Sequence, residues 1–273
     1  MLSREVRRFV DECGAEPWNV AWCAGAGFVG ADNRGLAVER AALAATLDSL
    51  AHSPQPERGN FFFASSAGGV YAGVGAPPYD ENSPVHPLSN YGTAKLDAEA
   101  LVIEWSRSCG AAVLIGRIAN LYGPGQNLTK AQGIISQVCR SYLTGRPAPI
   151  YVPLDTIRDY VFAPDCARLV VDGLERLQRE RTDLESRVVI KILASQRAVT
   201  VGAVLGEMRR IFKGSIRIVV AASALSTAQV QNLSVRSRVW TELDRRPLTP
   251  LPVGVARTVA DVLRHLQRGD LAA

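Results

Sequence analysis

Asn60-Phe61-Phe62-Phe63-Ala64-Ser65-Ser66-Ala67-Gly68-Gly69-Val70-Tyr71 is an apolar run that ends in small and hydroxyl residues. Such a run, bounded by turn-forming residues, reads as a buried strand that feeds a loop. The flanking segments say how that strand is used. Upstream, Asn19 to Ala24 is short and apolar and reads as a strand, and Leu36 to Ala51 is Ala/Leu-rich and helical. Downstream, Pro77 to Asn90 is rich in Pro, Asn and Ser and reads as a loop. Tyr91 to Cys109 then reads as a helix and Ala112 to Ile118 as a strand. The order βαβαβ implies parallel strands joined by crossover helices, hence an α/β fold with a doubly wound parallel sheet. Ser3 to Cys13, with Val6, Phe9 and Val10 on one side, suits a short amphipathic helix ahead of it.

After Pro124 the pattern loosens. Helices are expected at Leu128 to Leu143, Pro164 to Arg179, Thr200 to Phe212 and about Val253 to Gln267. Strands are expected at Val188 to Leu193 and Ile216 to Val220.

Tyr91-Gly92-Thr93-Ala94-Lys95 places a phenol and an ammonium four residues apart, on one face of the expected helix. A cation beside a Tyr favours the phenolate. A Tyr with a lowered pKa can exchange a proton with a substrate hydroxyl near neutral pH. Oxidation of an alcohol, or reduction of a ketone, by a nicotinamide needs such a group. Taken alone the pair has a plain alternative, an exposed helix pair.

Two further blocks follow: Ala112-Val113-Leu114-Ile115-Gly116-Arg117-Ile118-Ala119-Asn120-Leu121-Tyr122-Gly123-Pro124-Gly125 and Arg158-Asp159-Tyr160-Val161-Phe162-Ala163-Pro164-Asp165. In this order and spacing the four blocks resemble the extended short-chain dehydrogenase/reductase family, and within it the NAD-dependent sugar-nucleotide epimerases and dehydratases. The resemblance runs from about Val20 to Thr258. It implies a Rossmann-like doubly wound parallel sheet, N-terminally incomplete, with a small α/β substrate-binding lobe. The sheet domain would take residues 1–124 plus 157–194, and the lobe 125–156 plus 195–273.

The resemblance also assigns roles. Tyr91 matches the family's catalytic Tyr and Lys95 its Lys, which also bonds the nicotinamide ribose. The third catalytic position, a Ser or Thr in the family, holds Ala67 here. Ser66 and Ser65 are the hydroxyl candidates in its place, with a strand-end hydrogen bond to backbone as their plain alternative. Ala67 and Asn120 match substrate-binding positions, and Arg158 an Arg that approaches a substrate diphosphate, for which a planar fork is suited. The alternative for Arg158 is a pair with Asp159. Arg117 reads as structural. A second phosphate-binding Arg is expected near 228–232, where the chain has Ala228-Gln229-Val230-Gln231-Asn232.

Gly25-Ala26-Gly27-Phe28-Val29-Gly30 matches the spacing G-x-G-x-x-G after a strand. A dinucleotide fingerprint opens a helix whose N-terminus holds the pyrophosphate, with an acid at the end of the next strand. Here turn residues Ala31-Asp32-Asn33-Arg34-Gly35 follow instead, and Glu39 lies inside the next helix. Ala24-Gly25 better matches the small-residue turn after the family's fourth strand, close to the cofactor's ribose and nicotinamide, where small residues permit backbone approach. On that register the first three strands and the Gly-rich pyrophosphate loop are not found. The expectation is therefore NAD or NADP as cofactor, bound weakly by this chain.

The resemblance implies an NAD(P)-dependent epimerase, dehydratase or reductase acting on a sugar nucleotide or related polyol. The alternative is a degenerate, non-catalytic member that serves as a partner subunit or binding module. It further implies a homodimer through the helices Leu36 to Ala51 and Tyr91 to Cys109, both of which carry apolar residues beyond one core face (Leu43, Leu47, Leu50; Leu96, Leu101, Val102, Trp105).

Bulk properties exclude other classes. The 273 residues are 47% hydrophobic and 21% charged, an ordinary globular balance that is enough for one large or two modest cores. A net charge of +5 with scattered basic residues does not single out a nucleic-acid surface. The five cysteines include no C-x-x-C pair and the three histidines are far apart, so free thiols, a reducing cytoplasm and no metal centre are expected. No segment reads as a signal peptide or a membrane span.

Overall fold

The computed structural model describes residues 2–25, 27, 32–73, 75–128, 133–180, 187–212, 215–220 and 230–269. In chain order the elements are α1 (Leu2–Cys13), β1 (Trp18–Trp22), α2 (Asn33–Ala51), β2 (Gly59–Ser66), α3 (Ala67–Val70), α4 (Asn90–Cys109) and β3 (Ala112–Ile118). There follow β4 (Asn120–Tyr122), α5 (Ile134–Leu143), β5 (Ala148–Ile150), β6 (Ile157–Phe162), α6 (Ala163–Glu180) and β7 (Val188–Leu193). The chain ends with β8 (Ala198–Thr200), α7 (Val201–Phe212), β9 (Ile218–Val220), β10 (Asn232–Leu233) and α8 (Leu251–Gln267).

The main sheet has the order β1-β2-β3-β7 and is parallel throughout, with Val20 beside Phe61, Phe61 beside Val113, and Val113 beside Val188. The three consecutive phenylalanines of β2 are all buried because helices cover both faces of the sheet. Phe61 and Phe63 pack with Leu43, Leu47 and Leu50 of α2 and with Val102 and Trp105 of α4. Phe62 points the other way, among Leu169, Leu174 and Leu177 of α6. Gly116 of β3 lies where a Cβ would fall 2.5 Å from Phe62 Cε2, so the ring of β2 occupies the space a side chain would need.

The outer side of β1 pairs with no other strand among the described residues. Helix α1 lies against α2, with Phe9 edge-on to Trp18 at 6.4 Å. This changes the reading of the apolar surplus on α2 and α4. Leu43, Leu47, Leu50, Val102 and Trp105 are buried within the chain, and Leu101 packs partly against the same cluster. They are core residues, not a spare face.

Beyond β3 the chain builds smaller sheets. β4, β6 and β10 lie side by side with β8 antiparallel on β6, and β5 pairs with β9. A second core gathers Tyr122, Ile135, Val138, Ile150, Phe162, Val204, Met208 and Val255. Tyr142 stacks on Phe212 at 4.1 Å and donates its hydroxyl to the Phe212 carbonyl at 2.6 Å. Strands β4 and β6 carry Asn120 and Arg158; β4 has only three residues and β6 is buried almost throughout, so neither shows a polar–apolar period in the sequence.

Candidate active site

The site forms where the carboxyl end of β2 meets α3 and the start of α4. Ser66 is extended, at φ −135° and ψ 116°, and caps α3 by accepting a hydrogen bond from the Gly69 amide at 3.1 Å. A Cβ on Gly92 would lie 2.2 Å from the Gly69 carbonyl oxygen, and one on Gly69 would lie 3.2 Å from Tyr91 Cε1. Glycine at both positions lets the two helix starts close on each other and brings Tyr91 over Ser66. Ser89 caps α4 by accepting from the Gly92 amide at 3.2 Å, and so sets Tyr91 in the first turn.

One turn later Lys95 extends along the same face. Its Nζ donates to the Ala64 carbonyl at 3.0 Å and stands 5.7 Å from the centre of the Tyr91 ring and 5.2 Å from that of Phe63. The phenol and the ammonium therefore share a face. The predicted direction of the Tyr91 pKa is not what the structure shows. Burial pushes the phenol up, the Glu39 carboxylate adds to the rise, and the Ser66 hydroxyl opposes it. Burial pulls the Lys95 ammonium down, against Glu39, Glu99 and the Cys23 thiol. Desolvation sets the direction for the phenol.

Ser65 is buried and its Oγ donates to Glu99 Oε1 at 2.5 Å. Glu99 also receives a two-pronged contact from Arg117, with Nε at 3.1 Å and Nη2 at 2.7 Å. Arg117 in turn donates from Nη1 to the Tyr71 hydroxyl at 2.8 Å. Burial works against the guanidinium charge, but Glu99 more than compensates and raises the Arg117 pKa. The Ser65 hydroxyl is thus held by a buried carboxylate, whereas Ser66 is the hydroxyl beside the phenol. Ala67 is buried at the start of α3 with Val70, Tyr71 and Tyr79.

Ala24 and Gly25 are exposed just past β1, with Gly25 at φ 148°. Gly27 brings this loop against Tyr91, since a Cβ there would lie 3.1 Å from Tyr91 Cδ2 and 3.0 Å from Leu36 Cδ2. Its amide donates to Glu39 Oε1 at 2.6 Å. Ala26, Phe28, Val29 and Gly30 of the fingerprint-like stretch, and Ala31 after it, lie outside the described residues. Where α2 opens, Asp32 itself takes the Gly35 amide at 2.7 Å.

Asn120 is exposed on β4, beside Tyr160 of β6. Arg158 is buried on β6, its Nη1 donating to the carbonyls of Ile157 at 2.7 Å and Gln231 at 3.2 Å. Asp159 does not pair with it and accepts instead from the amides of Ser195 at 2.7 Å and Arg197 at 2.9 Å. Burial, the main influence, lowers the Arg158 pKa. Leu233 joins the two regions. It sits beside Arg158 in the strand register, and a Cβ on Gly68 would lie 3.8 Å from its Cδ1. Of the stretch searched for a second Arg, Ala228 and Gln229 lie outside the described residues, and Gln231 turns its amide to Asp155 at 2.8 Å.

The sequence model of the NAD dependent epimerase/dehydratase family matches residues 3–185. This chain belongs to that family. Among curated relatives of this epimerase/dehydratase-family chain, dTDP-glucose 4,6-dehydratase of Haemophilus influenzae is 36% identical over 89 residues, which cover 33% of this chain and 25% of the relative. The dTDP-L-rhamnose 4-epimerase of Burkholderia thailandensis is 33% identical over 101 residues, 37% of this chain and 28% of the relative. The matched stretches thus span only about a quarter of these relatives. The fold is shown by two solved structures. UDP-glucose 4-epimerase of Thermotoga maritima, solved with UDP-glucose, superposes with a TM-score of 0.80 at 21% identity over 97% of this chain and 82% of its own. An epimerase of Methanothermobacter thermautotrophicus gives 0.82 at 19% identity over 97% and 76%.

The cofactor that the family name implies can be tested against these residues. An ammonium, a phenol and a hydroxyl at the carboxyl end of a parallel sheet form a donor set that suits the ribose and nicotinamide end of NAD. Among the described residues no second glycine-rich turn opens a helix toward this end of the sheet, so no residues are assigned to its pyrophosphate. No group of three or more His, Cys, Asp or Glu is placed to hold a metal among the described residues.

Two participants, Glu99 and Glu39, are given no role by the sequence. Glu99 follows Lys95 at the spacing that puts both on one helix face, which is a usable signal. Glu39 was noticed only as an acid inside a helix. Nothing in its spacing shows that the Gly27 loop folds back onto it.

Proposed function

We propose that this chain supplies the proton-transfer site of an NAD(P)-dependent epimerase, dehydratase or reductase acting on a nucleotide sugar. The observation that carries this reading is the convergence of Tyr91, Lys95 and Ser66 at the carboxyl end of the sheet. Bound there, the nicotinamide would take or give a hydride at a sugar carbon. Tyr91 holds or releases the proton of the hydroxyl on that carbon, Ser66 orients that hydroxyl, and Lys95 holds the ribose hydroxyls through the donors that Ala64 leaves over. Residues 125–156 plus 195–273 form the substrate lobe in this reading. Asn120 and Arg158 face the nucleotide diphosphate, with Arg158 suited to it because no carboxylate already holds its charge among the described residues. Arg158→Met is expected to weaken binding of a UDP-hexose about ten- to hundredfold, the worth of about one hydrogen bond to a charged group. Isothermal calorimetry checks this, and undiminished affinity removes Arg158 from the site.

The same proposal includes a homodimer and a cytoplasmic location. No helix among the described residues is long and apolar enough to cross a membrane. All five cysteines are unpaired. Light scattering tests the association, where a dimer mass supports it and a monomer mass at working concentration removes it.

A further inference from the structure

We infer that Glu39 is a positioning residue that sets the charge of the Tyr91–Lys95 pair. The inference deepens the proton-transfer reading and rests on it. Its geometry is specific. The Gly27 amide fixes Glu39 Oε1 at 2.6 Å. The other oxygen, Oε2, lies 3.3 Å from the point where a Cβ on Gly27 would stand, and Tyr91 Cδ2 lies 3.1 Å from that same point. A Cβ on Gly25 would meet Oε2 at 3.1 Å. The carboxylate and the phenol ring therefore flank one small gap, kept open by glycine at positions 25 and 27.

Among the described residues, the groups that act on the pair come from several elements. Glu39 comes from α2, Glu99 from α4, Cys23 from the end of β1 and Ser66 from the end of β2. Glu99 is already matched by Arg117 at 2.7 Å. Glu39 acts on both members: it raises the phenol and sustains the ammonium. An acid at this place adds to burial in disfavouring the phenolate and works against burial at Lys95. It moves ionisation of the phenol to higher pH and counters the loss of charge on Lys95.

The test is an ultraviolet difference titration of the full chain, with the Tyr91 transition isolated by subtracting the Tyr91→Phe trace. Glu39→Gln keeps an oxygen to accept from Gly27 and removes the charge. It is expected to move the Tyr91 transition to lower pH. Glu39→Asp, which keeps the charge, is expected to titrate above Glu39→Gln. Glu39→Ala removes charge and acceptor together and is expected to shift downward as well. A Glu39→Gln transition coincident with wild type, with a shift only in Glu39→Ala, would show that the residue merely holds the loop, and would overturn the inference. The titration uses no ligand, so its outcome is independent of whether Tyr91 serves turnover.

Discussion

In a Tyr91→Phe variant, turnover is expected to fall by about 10²–10⁴-fold while substrate affinity stays close to wild type. The substitution removes the phenol oxygen and keeps the ring that packs against Gly69 and Gly27. General acid–base groups contribute about that factor, and a group that acts only on the transferred proton changes kcat and not binding. The pH dependence has a definite sign. Tyr91 accepts a proton as phenolate, and its pKa is raised by burial and by Glu39. Oxidation of a substrate hydroxyl should therefore speed up as pH rises from neutral toward the phenol pKa, and Tyr91→Phe should flatten that rise. Steady-state rates across pH check both statements. A Tyr91→Phe variant that keeps wild-type turnover and pH profile refutes the assignment of the proton to this residue.

The second large effect is on stability. Glu99→Ala leaves the Arg117 guanidinium buried without its carboxylate and strips Ser65 of its acceptor. Both side chains of the pair are under a tenth exposed, so solvent cannot replace what is lost. Removing one partner of a buried pair costs about 3–5 kcal/mol. Urea denaturation should show a loss of that order with an unchanged slope. A double replacement, Glu99→Leu with Arg117→Met, should recover part of it, because the stranded charge is what costs most. A Glu99→Ala chain as stable as wild type would mean that the network is not closed as described.

The fold was legible in the sequence to the extent that period and punctuation record it. The run Phe61-Phe62-Phe63, with no polar alternation, announces a strand covered on both faces, and α6 on one side and α2 with α4 on the other provide the cover. Helix α4 begins one residue before the expected Tyr91 and ends at the expected Cys109, between the Ser89 cap and the left-handed Gly110. The surplus of apolar residues on α2 and α4 misled, because sequence cannot show that α2, α4 and β2 share one core. Three-residue β4 and the almost wholly buried β6 left no polar–apolar period to read.

The site was half legible. Tyr91 and Lys95 meet because spacing on a helix guarantees a shared face. The choice between Ser65 and Ser66 depends on strand alternation at the sheet end. One hydroxyl turns inward to Glu99 and the next turns to Gly69 and Tyr91. Glu39 could not be found in this way, since its contact with Gly27 spans a loop whose course no local rule sets. The sign of the Tyr91 shift was misjudged for the same reason. A neighbour in sequence was counted, while burial and a tertiary neighbour decide the outcome.

The most direct test of the central claim is proton NMR of the purified chain with saturating NAD and a panel of nucleotide hexoses. The account predicts that at least one is converted, either to its epimer at a single carbinol or to a deoxy-keto sugar, and that Tyr91→Phe slows the conversion by the factor given above. Binding of both ligands with no conversion of any hexose, or conversion unaffected by Tyr91→Phe, would contradict it.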